Sequence, residues 1–396
     1  MMYRSILVAV DNSRYSLWGA DHAIELAKSF DAALVGNHVY AARLHEERFI
    51  QMEPGLPAKY QSPGELKKQR EIHGDLIGKG LRIISNSDID ALKARCEEAG
   101  VPCEQKTMEG KNYHELVNDI ARSSYDLVTI GARGLGEVDE GRLGSVCERV
   151  VRRINVDTLV IKNGVPIKGG HVVVGVDGSE QSFAAVWAAI SMSKRLGCRV
   201  TALSVFDPFF HYKAFGSIAE TLSEEDGKAF RFEEQEKLHK EIIDSGLERI
   251  YREHLNTAAR MAAREDAQIE TELLAGKPHQ AISGWLEGKQ IALLLLGKVG
   301  VHSNDELDIG SNSENLLRDA QCNVMLVSRK IRPGQDAGSG SHEDIGWEPE
   351  AVELLNKVPG FVRNMVRGHM EALARRENVM IVTAGMMKEA RLKMGM

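Results

Sequence analysis

Two stretches of this chain have the residue types and spacing to hold an anion. Residues 131–145 read GARGLGEVDEGRLGS and residues 297–311 read GKVGVHSNDELDIGS, so both follow G-x2-G-x9-G-S without a gap. In each, an apolar run of strand character ends at the first glycine, Gly131 or Gly297, and the closing pair, Gly144-Ser145 or Gly310-Ser311, opens a helical pattern. The first turn of a helix has N–H groups with no intrahelical acceptor, and the helix dipole adds partial positive charge there, so the turn favours phosphate. Gly131, Gly134, Gly297 and Gly300 are expected to let the backbone approach a ligand and to adopt positive φ. The hydroxyls of Ser145 and Ser311 are placed to cap the helix or to reach a phosphate oxygen, and Val146 and Asn312 follow in the same turn. A glycine pair after a strand also serves simply to turn the chain, so the weight rests on the full spacing.

The charge in these loops ranks them. The first gap holds Glu137, Asp139 and Glu140, and the second holds Asp305, Glu306 and Asp308. Carboxylates beside a triphosphate repel it unless they face solvent or hold Mg²⁺. Arg133 and Arg142 offset this in the first loop, whereas the second has Lys298 and His302, a weaker set. Tighter binding is therefore expected in the first. Lys111 and Lys277 follow the third strand and leave two readings open, contact with phosphates or ordinary exposed loop lysines, of which the second is the commoner; His114 and His279 close behind read as surface or capping residues.

The elements that must position these loops come in two copies. Asp11 and Asp177, Gly110-Lys111 and Gly276-Lys277, Gly131 and Gly297, and Gly144-Ser145 and Gly310-Ser311 are all 166 positions apart. Four landmarks at one offset mark an internal repeat. In the first copy, strands are predicted at 6–10, 33–39, 102–108, 127–130 and 158–161. Helices are predicted at 16–30, where Leu17, Ala20, Ile24 and Ala27 share a face, and at 66–100, 113–122 and 146–153. The second copy repeats the order from 171 to 328, with a longer, charged middle helix at about 224–264. Alternating strands and helices imply a parallel sheet covered on both faces. In such a sheet ligands sit at the carboxyl ends of strands near the switch in strand order, where Asp11 or Asp177 meets Gly131 or Gly297.

The loop spacing, with the VDNS and VDGSE strand ends, resembles the universal stress protein family over about residues 1–330. The resemblance implies tandem doubly wound, Rossmann-like α/β domains, each a five-stranded parallel sheet of order 3-2-1-4-5. It implies ATP between the first and fourth strands, with AMP or ADP as alternatives and Mg²⁺ as a companion. Asp11 and Asp177 would lie beside adenine and ribose, and the glycines with Ser145 or Ser311 would hold ribose and phosphates. It also implies pairing of domains through the last strand.

The remaining sequence sets limits. A formal charge of −7 gives no electrostatic footprint for nucleic acid, and no window has the run of about 18 apolar residues that a membrane helix needs, so a cytoplasmic protein is expected. The five cysteines, Cys96, Cys103, Cys147, Cys198 and Cys322, form no CxxC pair and are odd in number, which argues for reduced thiols. The sequence has no G-x4-G-K-[ST], HExxH or G-x-S-x-G motif, so a nucleotide-linked regulator is expected rather than an enzyme.

Domains are placed at 1–165 and 169–330, a linker at 331–345 and a small helical domain at 346–396. In the last, Ala351, Leu354 and Leu355 form one stripe, Pro359 ends that helix, and Phe361, Met365, His369 and Met370 or Leu373 form another. Val382-Thr383 then caps a short helix. The W-x-P-E-A, V-P-x-F-V-R and E-x-L-A-R-R runs resemble the C-terminal domain of the protochlorophyllide reductase 57 kDa subunit. Because the resemblance covers only this tail, it carries no reductase activity. It leaves two readings open: a docking or oligomerisation module, or contact with a tetrapyrrole or redox-complex partner, with His369 as the residue to watch.

Overall fold

Ile6, Leu7 and Val8 are fully buried because the strand they form, β1 (Ser5–Ala9), is covered on both faces. The computed structural model describes residues 2–136, 143–208, 246–301, 309–333, 346–358, 363, 366–368, 370–371, 373–374, 379 and 381–393. The chain divides into two compact units. One is Met1–Gly170 with Arg195–Cys198 and Arg318–Ser328; the other is His171–Lys194 with Arg199–Leu317 and Arg329–Met396.

In the first unit, α1 (Arg14–Phe30) follows β1, and β2 (Ala33–Tyr40) returns parallel to it. Ser13 caps α1 by accepting from Ser16 N–H at 3.2 Å, and Asp31 ends it in the left-handed region at φ 57°. The buried face of α1 runs through Ser16, Ala20, Ala23, Ala27 and Phe30, whereas Leu17 is exposed. The predicted stripe was thus rotated: Ala20 and Ala27 stay in it, Leu17 leaves it, and Tyr15, Leu26 and Phe30 join the small residues on the buried face.

A helix not predicted from the sequence, α2 (Ala42–Met52), precedes the long α3 (Pro63–Ala99). None of α2's residues is buried, so no apolar periodicity announces it. Ser62 caps α3, Pro63 sits in its first turn, and Gly100 closes it at φ 69°. Then follow β3 (Cys103–Glu109), α4 (Asn112–Arg122), β4 (Leu127–Gly131), α5 (Ser145–Arg153) and β5 (Asp157–Ile161). The strand order is β3-β2-β1-β4-β5, all parallel. The order switches beside β1, between its neighbours β2 and β4.

β10 (Asn323–Val327), the last strand of the second repeat, lies antiparallel to β5 within this unit. Leu159 faces Met325, its counterpart 166 positions on, so the pairing is centred on equivalent residues. The ends are tied reciprocally. Asn323 Oδ1 accepts from Lys162 N–H at 2.8 Å, and Asp157 Oδ1 accepts from Ser328 N–H at 2.9 Å.

The second unit holds β6 (His171–Gly175), α6 (Glu180–Leu196), β7 (Arg199–Phe206), α7 (Glu248–Arg264), β8 (Glu270–Ala275), α8 (Pro278–Leu286) and β9 (Leu293–Gly297). Its strands run parallel in the order β9-β6-β7-β8, and α9 (Ser311–Asp319) follows. Residues 224–245 of the predicted middle helix lie outside the described residues.

The tail forms a small core of its own. β11 (Gly346–Trp347) pairs in parallel with β12 (Ile381–Val382), and α10 (Pro349–Asn356) and α11 (Ala384–Lys393) enclose fully buried Ala351, Leu355, Met370, Ala374 and Val382. Thr383 caps α11 through Met386 N–H at 3.3 Å, while Val382 belongs to the strand pair, which the sequence reading missed. Pro359, Phe361, Met365 and His369 lie outside the described residues.

Candidate functional site

At the end of β1 the chain must turn sharply into α1. Asn12 takes φ 58° and its counterpart Gly178 takes φ 85°, a conformation those two residue types tolerate. The turn fixes Asp11. Its Oδ1 accepts from Ser13 N–H at 3.1 Å and from the Ser13 hydroxyl at 2.6 Å. Asp177 repeats this with Ser179 at 3.0 and 2.6 Å. In the second repeat the other oxygen is also engaged: Val301 N–H donates to Asp177 Oδ2 at 2.9 Å. Both aspartates therefore organise the turn, and Asp177 also holds the glycine loop against it.

The glycines answer to close approach, not to positive φ; among the described glycines, those of the two loops are not in the left-handed region. A Cβ on Gly134 would lie 2.5 Å from Asp11 Oδ2, and one on Gly300 would lie 2.8 Å from Asp177 Oδ2. At Gly131 a Cβ would meet Tyr15 Cβ at 2.9 Å, and at Gly297 it would meet Gln181 Cβ at 3.1 Å. Gly144 N–H donates to the Ala132 carbonyl at 2.7 Å and Gly310 N–H to the Lys298 carbonyl at 2.9 Å. These bonds bring the two ends of each loop together. Gly144 itself is the N-cap of α5, so exposed Ser145 occupies the first helical position and does not cap. The N–H groups of Ser145, Val146 and Cys147 start the helix and have no acceptor within it.

In the first unit these residues converge on a cleft of about 800 Å³. Asp11, Gly131, Arg133, Gly134, Gly144, Ser145 and Val146 all line it. Arg133 donates to the Tyr15 hydroxyl at 3.2 Å and lies 5.8 Å from that ring's centroid. The opposite wall was missed by the sequence reading: it comes from the end of β2, with His38, Val39 and Tyr40, and from α3, with Leu81, Ile84 and Asp88. The predicted strand order contained the signal, because the carboxyl end of the strand next to β1 must open onto the same crevice. His38 Nδ1 is 2.6 Å from Ser85 Oγ, and its Nε2 lies 3.9 Å from Asp88 Oδ2. Burial pushes the His38 imidazole below its ordinary value and the Asp88 carboxyl above its own.

In the second unit, Asp177, Gly297, Gly300, Gly310, Ser311 and Asn312 line a cleft of about 220 Å³ among the described residues, with Tyr251 of α7 in its wall. Burial, with Asp177 and Asp207 nearby, pushes the Tyr251 hydroxyl up to about 12. Lys298 is buried rather than turned to the cleft mouth. Glu137, Asp139, Glu140, Arg142, His302, Asp305, Glu306 and Asp308 lie outside the described residues. Lys111 and Lys277 are exposed N-cap residues of α4 and α8 and line neither cleft; Lys111 sits 5.1 Å from the Tyr113 ring centroid. Among the described residues, no cluster of three or more His, Cys, Asp or Glu is arranged to hold a metal ion, and no helix is long and apolar enough to cross a membrane.

Residues 2–162 and 170–328 each match the universal stress protein family. The chain belongs to that family. Universal stress protein MJ0531 of Methanocaldococcus jannaschii is 31% identical over 163 residues, 41% of this chain and 83% of that one. A universal stress protein from Archaeoglobus fulgidus superposes with a TM-score of 0.53 at 17% identity, covering 83% of this chain and 99% of that chain, a likeness of fold. A universal stress protein solved in complex with cAMP is 22% identical over 41% of this chain and 98% of its own, with a TM-score of 0.27. Residues 347–391 match the proto-chlorophyllide reductase 57 kD subunit family, so the tandem universal stress domains carry a tail of separate kinship.

Proposed function

We propose that this universal stress protein is a cytoplasmic regulator that binds an adenine nucleotide in the cleft of its first repeat. ATP with Mg²⁺ is the ligand assigned, with ADP or AMP as relatives. The supporting observation is convergence: the end of β1, the glycine loop after β4 and the first turn of α5 meet in one cleft of about 800 Å³, within the ~300–1,000 Å³ usual for small-molecule sites. The free N–H groups of α5 suit phosphate, and Arg133 adds a positive charge at the same end. Val10, Val39, Leu116 and Ile130 supply apolar surface for a base. Mg²⁺ would arrive on the phosphates of the nucleotide and offset their charge. The matching residues of the second repeat, Asp177, Gly297, Gly300, Gly310, Ser311 and Asn312, are assigned a weaker site.

A regulatory role rather than catalysis rests on the missing nucleotide-hydrolysis and hydrolase motifs. Self-association is assigned to the C-terminal helices, because β5 already has neighbours on both edges in β4 and β10. Mass spectrometry of small molecules released by denaturing the purified protein tests the reading: an adenine nucleotide is expected. Steady ATP turnover abolished by Asp11→Asn would overturn the regulatory assignment. A second reading, an accessory subunit docking onto a redox or tetrapyrrole complex, is favoured by the match of residues 347–391. A stoichiometric redox partner pulled down with protein that carries no nucleotide would select it.

A further inference from the structure

Gly36 and His38 share one face of β2, and a Cβ on Gly36 would lie 2.5 Å from Leu92 Cδ2, so the glycine lets α3 press onto that face. Ser85 and Asp88, one turn before Ile89 and Leu92 on α3, are thereby brought to His38. His38 and Asp88 line the first cleft, and Ser85 stands behind them. The Ser85 hydroxyl is fully buried and has one partner among the described residues, His38 Nδ1 at 2.6 Å. A buried O–H needs an acceptor, so its proton goes to Nδ1, and the proton of the neutral imidazole sits on Nε2. That Nε2–H lies 3.9 Å from Asp88 Oδ2, too far for a hydrogen bond. The Asp88 side chain is only 8% exposed and accepts no hydrogen bond among the described residues. Burial pushes its carboxyl upward, with His38 opposing and Asp11 adding to the push. A donor and an acceptor thus face each other across a gap in the cleft wall.

We propose, on the reading of this cleft as a nucleotide site, that His38 and Asp88 read the sugar: one ribose hydroxyl accepts from His38 Nε2–H and donates to Asp88 Oδ2, so the first cleft prefers ribonucleotides to deoxyribonucleotides. An oxygen at ordinary hydrogen-bond lengths of about 2.8 Å from each atom spans the 3.9 Å gap. A hydroxyl fits because it both accepts and donates. The exocyclic amine of a base donates without accepting, and a phosphate oxygen accepts without donating, so neither bridges the pair. Asp88 and Asp11 also repel phosphate here and leave it to the α5 end of the cleft, where Arg133 lies. Ser85 acts through His38, as the positioning residue that fixes its tautomer. The fold does not require this pair. The same positions of the second repeat, 166 residues on, hold Ser204 and His254. Ser204 donates to the Val176 carbonyl at 2.7 Å, and His254 packs where a Cβ on Gly178 would lie 2.5 Å from its Nε2. Neither lines the second cleft, which is therefore expected to be indifferent to the sugar.

The test is a calorimetric titration of the full chain with ATP, 2′-deoxy-ATP and 3′-deoxy-ATP, each with Mg²⁺. In the wild type, at least one deoxynucleotide is expected to fill the tighter phase about tenfold to a hundredfold more weakly than ATP, because it leaves a buried donor and acceptor unpaired. The analogue that is penalised identifies the bridging hydroxyl. In Asp88→Ala and in His38→Phe, ATP affinity should fall toward that of the penalised analogue, so that their ratio approaches one. Asp88→Asn keeps an acceptor of the same shape and should keep part of the ratio. A purely structural role for the pair would lower all three affinities together and leave the ratio unchanged. Equal affinities in the wild type, a comparison that needs no variant to fold, would overturn the sugar-reading pair and leave nucleotide binding standing. A ratio that survives in both Asp88→Ala and His38→Phe would do the same. Failure of all three nucleotides to bind would overturn the nucleotide reading, and the pair with it.

Discussion

Gly134 is the residue at which the loop and the carboxylate compete for the same space. Adding a methyl group puts a Cβ 2.5 Å from Asp11 Oδ2, so Asp11 or the loop must move. Overpacking of this kind costs about 1–3 kcal/mol, and if the strain falls on the cleft, Gly134→Ala weakens nucleotide binding by about tenfold to a hundredfold. A competition assay with a fluorescent nucleotide checks this, and unchanged affinity would show that the loop does not touch the ligand.

His38 offers a prediction in pH. Burial lowers its folded value below the ordinary 6.5, with Asp88 and Asp11 opposing. As pH falls through 6.5, the unfolded chain takes up a proton that folded His38 refuses, so stability is lost downward from that point and the loss ends below the folded value. An NMR titration should give the His38 midpoint below 6.5; a midpoint above it would mean that Asp88 dominates.

Among the elements, α1 carries the most coupled cap. The Ser13 hydroxyl accepts from Ser16 N–H and donates to Asp11, so Ser13→Ala removes a helix cap and releases the carboxylate together. A loss of about 1–2 kcal/mol in unfolding free energy is expected from urea denaturation, and no loss would place the cap elsewhere. The β5–β10 pair makes a matching test. Asn323 Oδ1 is fully buried and accepts from both Lys162 and Asn163 N–H groups, so Asn323→Ala should cost about 1–3 kcal/mol by stranding two donors. The central strands were legible because burial on both faces forces continuous apolar runs such as Ile6–Val8, whereas β3 and β8 are largely exposed and carry no such run. α2 was not, because a helix with no buried residue has no stripe. The strands Gly346–Trp347 and Ile381–Val382 were not either, since two residues cannot display a period. At the site, the spacing of glycines and aspartates was legible, but its cause was misjudged. The glycines serve contact with Asp11, Tyr15 and Gln181, which are distant in sequence and meet them only in the folded sheet.

Across the whole molecule, two copies of one domain use the same turn, the same aspartate and the same loop closure, yet face their clefts with different walls. The first has His38 and Asp88; the second has Tyr251. A ligand bound only by the native state stabilises it by about 2.7 kcal/mol at a hundred times its Kd, so nucleotide should also raise the thermal midpoint of the intact chain. The tail is of separate kinship from the repeats that carry the proposed nucleotide sites. The most direct measurement is a calorimetric titration of the full chain with ATP and Mg²⁺, run alongside Gly134→Ala and Gly300→Ala. The expected result is a saturable isotherm whose tighter phase is weakened by Gly134→Ala and kept by Gly300→Ala. The absence of binding heat supported by an unchanged thermal midpoint, or a tighter phase lost only with Gly300→Ala, would contradict nucleotide binding in the first cleft.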